Sequence, residues 1–278
     1  MLFLCLAIVS SCAIALLMRI SSDKISAKLS MLGVNYLICT LLSAGYAGFD
    51  LICPEVSGFP VAIGMGLFNG ILFLGGIVLC QWNTKHNGIV MTSVFMKLGL
   101  LVPIALSVPV FRERPTGVQI VGFAIALAAI VLINSGNKTG KVRFRWQLLV
   151  MLLMCGGADA MSKVFEVFGP AVLEDQFLFY TFLMALGLCA ALVISKKERP
   201  GMREVLFGVA IGIPNFFASK FLLLALGRLP SGVVFPSFSI GTMLITTLVG
   251  MIFYRERLRK LQWLALLAIV SALLLLNI

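Results

Sequence analysis

The sequence predicts an all-α integral membrane protein, with ten transmembrane helices arranged as two inverted repeats of five. Three observations carry that prediction. The chain is 60% hydrophobic and only 12% charged. Its apolar residues fall into ten runs, each long enough to cross a bilayer. The two halves of the chain echo each other at a nearly constant offset.

Composition comes first because it fixes the solvent. A soluble domain of 278 residues carries roughly a quarter of its residues as Asp, Glu, Lys and Arg. This chain has half that share and a mean hydropathy of +1.08, so much of its surface must face lipid. The net charge of +11 does not point to nucleic acid, because the Lys and Arg residues sit mostly in short connections between apolar runs. That is how the flanks of membrane helices look. Of the seven cysteines, all but Cys53 lie inside apolar runs, no pair has CxxC spacing, and the only histidine is His86. Neither a metal site nor a disulfide framework is expected, and no cofactor. The N-terminus has no basic stretch before its first run, which is long enough to span, so it does not read as a cleaved leader.

The ten runs lie near residues 2–20, 29–48, 58–82, 88–111, 117–134, 147–165, 176–195, 204–226, 231–254 and 261–277. At about 1.5 Å rise per residue, each reaches across a hydrocarbon core of roughly 30 Å. Backbone in lipid must satisfy its own hydrogen bonds, and the runs lack the alternation of a barrel strand, so they are helices. Connections are short and carry turn residues: Ser21-Ser22-Asp23, Ser135-Gly136-Asn137, and Glu198-Arg199-Pro200-Gly201. The sequon at Asn137 lies in too short a loop to carry weight. The organisation is a first repeat over residues 1–135, a basic linker over 136–146, and a second repeat over 147–278.

The repeat is visible in matched residues. Arg19 matches Lys163, Tyr36 matches Tyr180, and Gly88 matches Gly232. One residue out of step, Phe111-Arg112-Glu113-Arg114 matches Tyr254-Arg255-Glu256-Arg257, and Asn134 matches Asn277. Five is odd, so the second half enters the membrane inverted. Inverted repeats of this kind are characteristic of many secondary transporters. Connections after spans 1, 3, 5, 7 and 9 hold about 16 Lys and Arg against about three after spans 2, 4, 6 and 8. The positive-inside rule then puts the first set in the cytoplasm of a bacterial inner membrane and both termini outside.

With two five-helix halves and an acidic residue before spans 5 and 10, the chain resembles the drug/metabolite transporter superfamily, EamA type. The run from Phe111 through Arg-Glu-Arg-Pro-Thr-Gly-Val-Gln-Ile-Val to Gly122 is similar to that family's joint into span 5. Glu256 and Gln262 stand correspondingly before span 10, and Ala225-Leu226 through Pro230-Ser231-Gly232 resembles the joint between spans 8 and 9. The resemblance implies a carrier of metabolites and a central cavity lined by spans 1, 3, 4, 6, 8 and 9. It does not imply a particular substrate. Span 1 has no acidic residue, so the glutamate mechanism of the small multidrug relatives is not expected here.

Charges inside the spans are the candidate site, because each costs roughly 2.5–3.5 kcal/mol at the bilayer centre and therefore faces a cavity or a partner. Lys97 in span 4 is the deepest, with Ser93 one turn before it. It is either a substrate or coupling contact or a structural lysine bonded to carbonyls. Asp159 and Lys163 in span 6 are spaced i, i+4 and read either as a switch or as a self-neutralising pair. Lys220 in span 8 is either a substrate contact or a snorkelling lysine. Asn69 and Asn215, in mirrored Gly-x-x-Asn segments, are either substrate contacts or interhelical hydrogen bonds. Pro214 removes a backbone donor beside Asn215.

The expectation is a secondary transporter of a small polar metabolite, anionic or zwitterionic, coupled to protons or to a counter-substrate. The energy source is not an ATPase: there is no GxxxxGK[ST] loop. A lipid-linked sugar flippase and a non-transporting membrane protein are the alternatives. An intramembrane enzyme is not expected, since neither HExxH nor GxSxG is present and no catalytic set is visible. The expected partners are the substrate and membrane lipid, not nucleic acid; the oligomeric state is open.

Overall fold

The computed structural model describes residues 1–22, 24–48, 50–52, 55–87, 89–107, 109–110, 116–134 and 145–254, and positions 264, 267–268, 271–272 and 274–275 beyond them. Gly88, residues 111–114, most of the linker at 136–146, residues 255–257, Gln262 and Asn277 lie outside the described residues. So do the side chains of Ser93 and Asn134.

Among the described residues the protein is helical, without strands. The helices are α1 (Leu2–Ser22), α2 (Lys28–Tyr46), α3 (Phe59–Asn87), α4 (Ile89–Leu98), α5 (Leu101–Ser107), α6 (Gly117–Asn134), α7 (Arg145–Phe168), α8 (Glu174–Ser195), α9 (Met202–Leu226) and α10 (Ser231–Tyr254). Described residues from 264 onward are helical too. Seven of these helices, α1, α2, α3, α7, α8, α9 and α10, are long and apolar enough to cross a membrane. Large apolar side chains such as Val9, Leu41, Phe68, Leu153, Ile194 and Leu206 are exposed, which is stable only where lipid is the solvent.

The sequence predicts one unbroken fourth span over 88–111, and the structure divides it. Pro103 explains the break. Its ring has no N–H to give to the carbonyl four residues back, and it crowds that carbonyl, which belongs to Gly99. The helix ladder stops at Leu98, a turn occupies Gly99 and Leu100, and Val102 N–H bonds the Gly99 carbonyl at 2.9 Å in a tighter i+3 closure.

Two compact units form, and neither coincides with a sequence half. Unit 1 comprises Met1–Leu74 and Met161–Gly227; unit 2 comprises Gly75–Ala160 and Arg228–Ile278. In unit 1, α9 packs on α1 and α2, and α2 packs on α8. Glycines set the closeness. A Cβ on Gly66 of α3 would lie 2.8 Å from the Phe177 carbonyl oxygen of α8, and one on Gly70 would lie 2.4 Å from that of Thr181. On α9, a Cβ at Gly208 would lie 2.8 Å from the Met31 carbonyl oxygen, and one at Gly212 would lie 2.9 Å from that of Asn35. Both helix pairs therefore meet backbone to backbone across a small-residue face. The α2 N-terminus is capped from far along the chain: Leu29 and Ser30 N–H donate to the Glu198 carboxylate at 3.1 and 3.2 Å. In unit 2, α4 packs on α6, and α10 packs on α5 and α6. Their apolar centre is Leu100, Ile240, Met243 and Ala272.

Candidate functional site

Each unit carries its own set of intramembrane polar groups. In unit 2 the centre is the broken span. Lys97 occupies the last turn of α4, just before the break. Asp159 on α7 lies within electrostatic reach of Lys97, as does Cys155 one turn earlier on α7. The helices are held close at this level by a pair of glycines: a Cβ on Gly156 would stand 2.2 Å from the Gly99 carbonyl oxygen. Cys80 of α3 donates to the Met96 sulfur at 3.9 Å nearby. Unit 2 thus places an ammonium and a carboxylate within electrostatic reach of each other, beside a turn whose backbone has left the helical ladder. Ser93, expected beside Lys97, lies on α4 one turn earlier.

In unit 1 the lysines have carboxylate partners. The i, i+4 spacing singles out Asp159 for Lys163. The structure gives the buried Lys163 ammonium a carboxylate that this spacing does not pick, Glu166, at 2.6 Å. Lys220 of α9 forms an ion pair with Asp175 in the first turn of α8. It also sits 5.9 Å from the centroid of the Tyr46 ring. Glu174 feels the charges of Lys220, Asp175 and Glu166. The ends of α2, α7 and α9 and the start of α8 therefore share one charged cluster. Glu166, Glu174 and Asp175 read from sequence as span-end or loop residues; no local spacing links Asp175 to Lys220, 45 positions away.

The two asparagines differ. Asn215 donates to the Asn35 side-chain oxygen of α2 at 3.2 Å, an interhelical bond beside the Gly212 contact. Asn69 reaches Thr181 of α8 only at 3.5 Å, and its own side-chain oxygen is buried without a hydrogen-bond partner. A buried acceptor left open is costly, so the Asn69 oxygen retains capacity for a donor, whereas Asn215 spends an amide N–H on Asn35. Asn35 and Thr181 were not singled out in the sequence. The polar residues of the mirrored segments were legible there, but their partners were not. No group of three or more His, Cys, Asp or Glu able to hold a metal occurs among the described residues.

Lipid-facing apolar helices that enclose ion pairs and amide contacts define a multi-pass integral membrane protein with polar groups held inside its helices. Residues 146–278 match the EamA-like transporter family, the family its joint motifs resemble. The members of that family are membrane transporters. An uncharacterized protein of Haemophilus influenzae is 23% identical over 280 residues, covering 96% of this chain and 94% of that protein. A crystal structure described only as that of a protein superposes with a TM-score of 0.79 at 16% identity, covering 99% of this chain and 94% of the other. At that identity the likeness is one of fold.

Proposed function

We propose that the protein is a secondary transporter of a small zwitterionic or anionic metabolite, working by alternating access between two inverted five-helix repeats. The observation that carries the substrate class is that Asp159 lies within electrostatic reach of Lys97, beside the break in span 4. A zwitterion complements both groups, its carboxylate on the lysine and its ammonium on the aspartate. The carriage of two opposite charges into a low-dielectric region costs least where both are met. Lys163 and Lys220 already have carboxylate partners, which leaves fewer unmatched cations than the sequence count. This favours a zwitterion, an amino acid for example, over a multiply charged phosphorylated compound.

Paired packing supports the repeat reading. The α3–α8 contact at Gly66 and the α9–α2 contact at Gly212 join spans 3 and 7, and spans 8 and 2. These are the pairs that an exchange of halves would interconvert. In this reading Asp159 is the switch that substrate or proton biases, and Asn69 offers its open oxygen to a donor. Lys163 and Lys220 position the ends of α7, α8 and α9. Asn215 and Ser93 act through their helices. An ion gradient or exchange supplies the energy.

The test is thermal stability of the purified protein against a panel of amino acids, organic acids and phosphorylated compounds, for wild type and Lys97→Gln. A ligand at about 100 times its Kd adds roughly 2.7 kcal/mol. Saturable stabilisation by a zwitterion, lost in Lys97→Gln, supports the assignment. Stabilisation by cations alone refutes it. Activity that tracks a lipid-linked sugar instead would favour a flippase.

A further inference from the structure

One end of unit 1 has a charge imbalance that the proposed transport reading does not use. The connections α1–α2 and α8–α9 meet there, through the Glu198 cap on α2. Between Arg19 and Lys28, and between Lys196 and Glu204, the sequence places seven Lys and Arg against three acids. The structure turns two of those acids to backbone donors. Glu198 is spent on the N–H groups of Leu29 and Ser30. Glu204 is spent on Gly201 N–H at 3.1 Å and on the backbone of Ser26 and Ala27. Among the described residues neither carboxylate forms an ion pair with the lysines or arginines of these connections. Lys24, Lys28, Lys196, Lys197, Arg199 and Arg203 are all exposed. Lys197 is held at φ 53, a left-handed conformation that costs a non-glycine residue free energy.

The apolar surroundings say what these cations meet. Ile194, Met202 and Leu206, within the same stretch, are 76%, 75% and 62% exposed. Exposed cations above an exposed apolar collar are placed at the headgroup level of a bilayer. We infer that this end of unit 1 is a binding site for anionic phospholipid headgroups, held by the cations of the α1–α2 and α8–α9 connections. The carboxylate caps of Glu198 and Glu204 gather the two basic connections onto one patch.

The experiment is native mass spectrometry of the full chain, with phosphatidylglycerol or phosphatidylcholine titrated into detergent, and inorganic phosphate in a parallel arm. Phosphatidylglycerol is expected to bind in saturable adducts that phosphatidylcholine and phosphate do not reproduce. The triple variant Lys196→Gln/Lys197→Gln/Arg199→Gln is expected to weaken it by roughly 100-fold. Lys24→Gln/Lys28→Gln, on the other connection, is expected to weaken it by a smaller factor, and Lys85→Gln in unit 2 to leave it unchanged. Thermal unfolding in phosphatidylcholine checks that each variant folds. Equal binding of both lipids, competition by phosphate alone, or a triple variant that binds like wild type while folded would each overturn the site. None of these outcomes depends on the transported substrate, so the inference stands or falls separately from the transport reading.

Discussion

The contact between Gly156 and Gly99 offers the most direct test of the site in unit 2. Replacing Gly156 with Ala adds one carbon 2.2 Å from the Gly99 carbonyl oxygen and 2.7 Å from a Val102 methyl. Ordinary contact begins near 3.4 Å, so the turn must retreat by about 1.2 Å, the difference between those distances. Its nearest atom is backbone, and no rotamer change can relieve it. Overpacking of this kind costs about 1–3 kcal/mol. Because the turn directly follows Lys97, the same retreat carries the ammonium away from Asp159. The expected result in thermal unfolding of the purified protein is a lowered Tm together with a weakened response to the ligand that stabilises wild type. Gly64→Ala is the matched control, since nothing lies within 4 Å of its new carbon. Alanine is the better helix former by about 1 kcal/mol, so that variant should be neutral or slightly stabilised. A Gly156→Ala protein with wild-type Tm and ligand response would refute the geometry of the broken span.

Other substitutions test the remaining contacts. Lys97→Gln should lower stability by about 3 kcal/mol, because it leaves the Asp159 charge uncompensated. Asp159→Asn in the same chain should restore part of it, and additive losses in the Tm cycle would show that the two groups do not interact. Gly66→Ala and Gly212→Ala should both destabilise, since each new carbon meets a helix backbone below 3 Å; an unchanged Tm in either would count against the paired packing. Glu198→Gln should cost about 1 kcal/mol as the cap on α2 is weakened, read by thermal unfolding. Asp175→Asn should leave Lys220 without its carboxylate and lower Tm; if it raises ligand affinity instead, Lys220 belongs to the substrate site.

The helices were legible because lipid imposes one requirement on every residue of a span, and composition alone reports it. The break in span 4 was within reach: Pro103 stands four residues after Gly99, the spacing at which a proline cannot supply the helical N–H to that carbonyl. A hydropathy window averages over that residue and sees a continuous run. The charged residues were legible as expensive, yet their partners were not. The pairing of Lys220 with Asp175 joins α9 to the start of α8, and only tertiary packing brings 175 and 220 together. Spacing along a helix supplied Asp159 as a neighbour for Lys163, but a second carboxylate at i+3, Glu166, was as close in sequence terms and is the one the structure seats at 2.6 Å.

Those partners change what the lysines imply. Counted from the sequence, several intramembrane cations face one aspartate, and an anionic or zwitterionic substrate follows. Counted with Glu166, Glu174 and Asp175 included, the cluster in unit 1 contains its own counter-charges. An anion entering there would have to compete with carboxylates already in place, and breaking a buried pair costs several kcal/mol. The groups in unit 2 pose no such competition for a ligand with both charges, since it can replace the interaction between Lys97 and Asp159 with one of its own on each side. On the proposed reading, substrate selection rests on the broken span, where the helix ladder gives way to a turn at Gly99 and Leu100. In unit 1 the Lys220–Asp175 pair joins α9 to α8, while Lys163–Glu166 lies within α7.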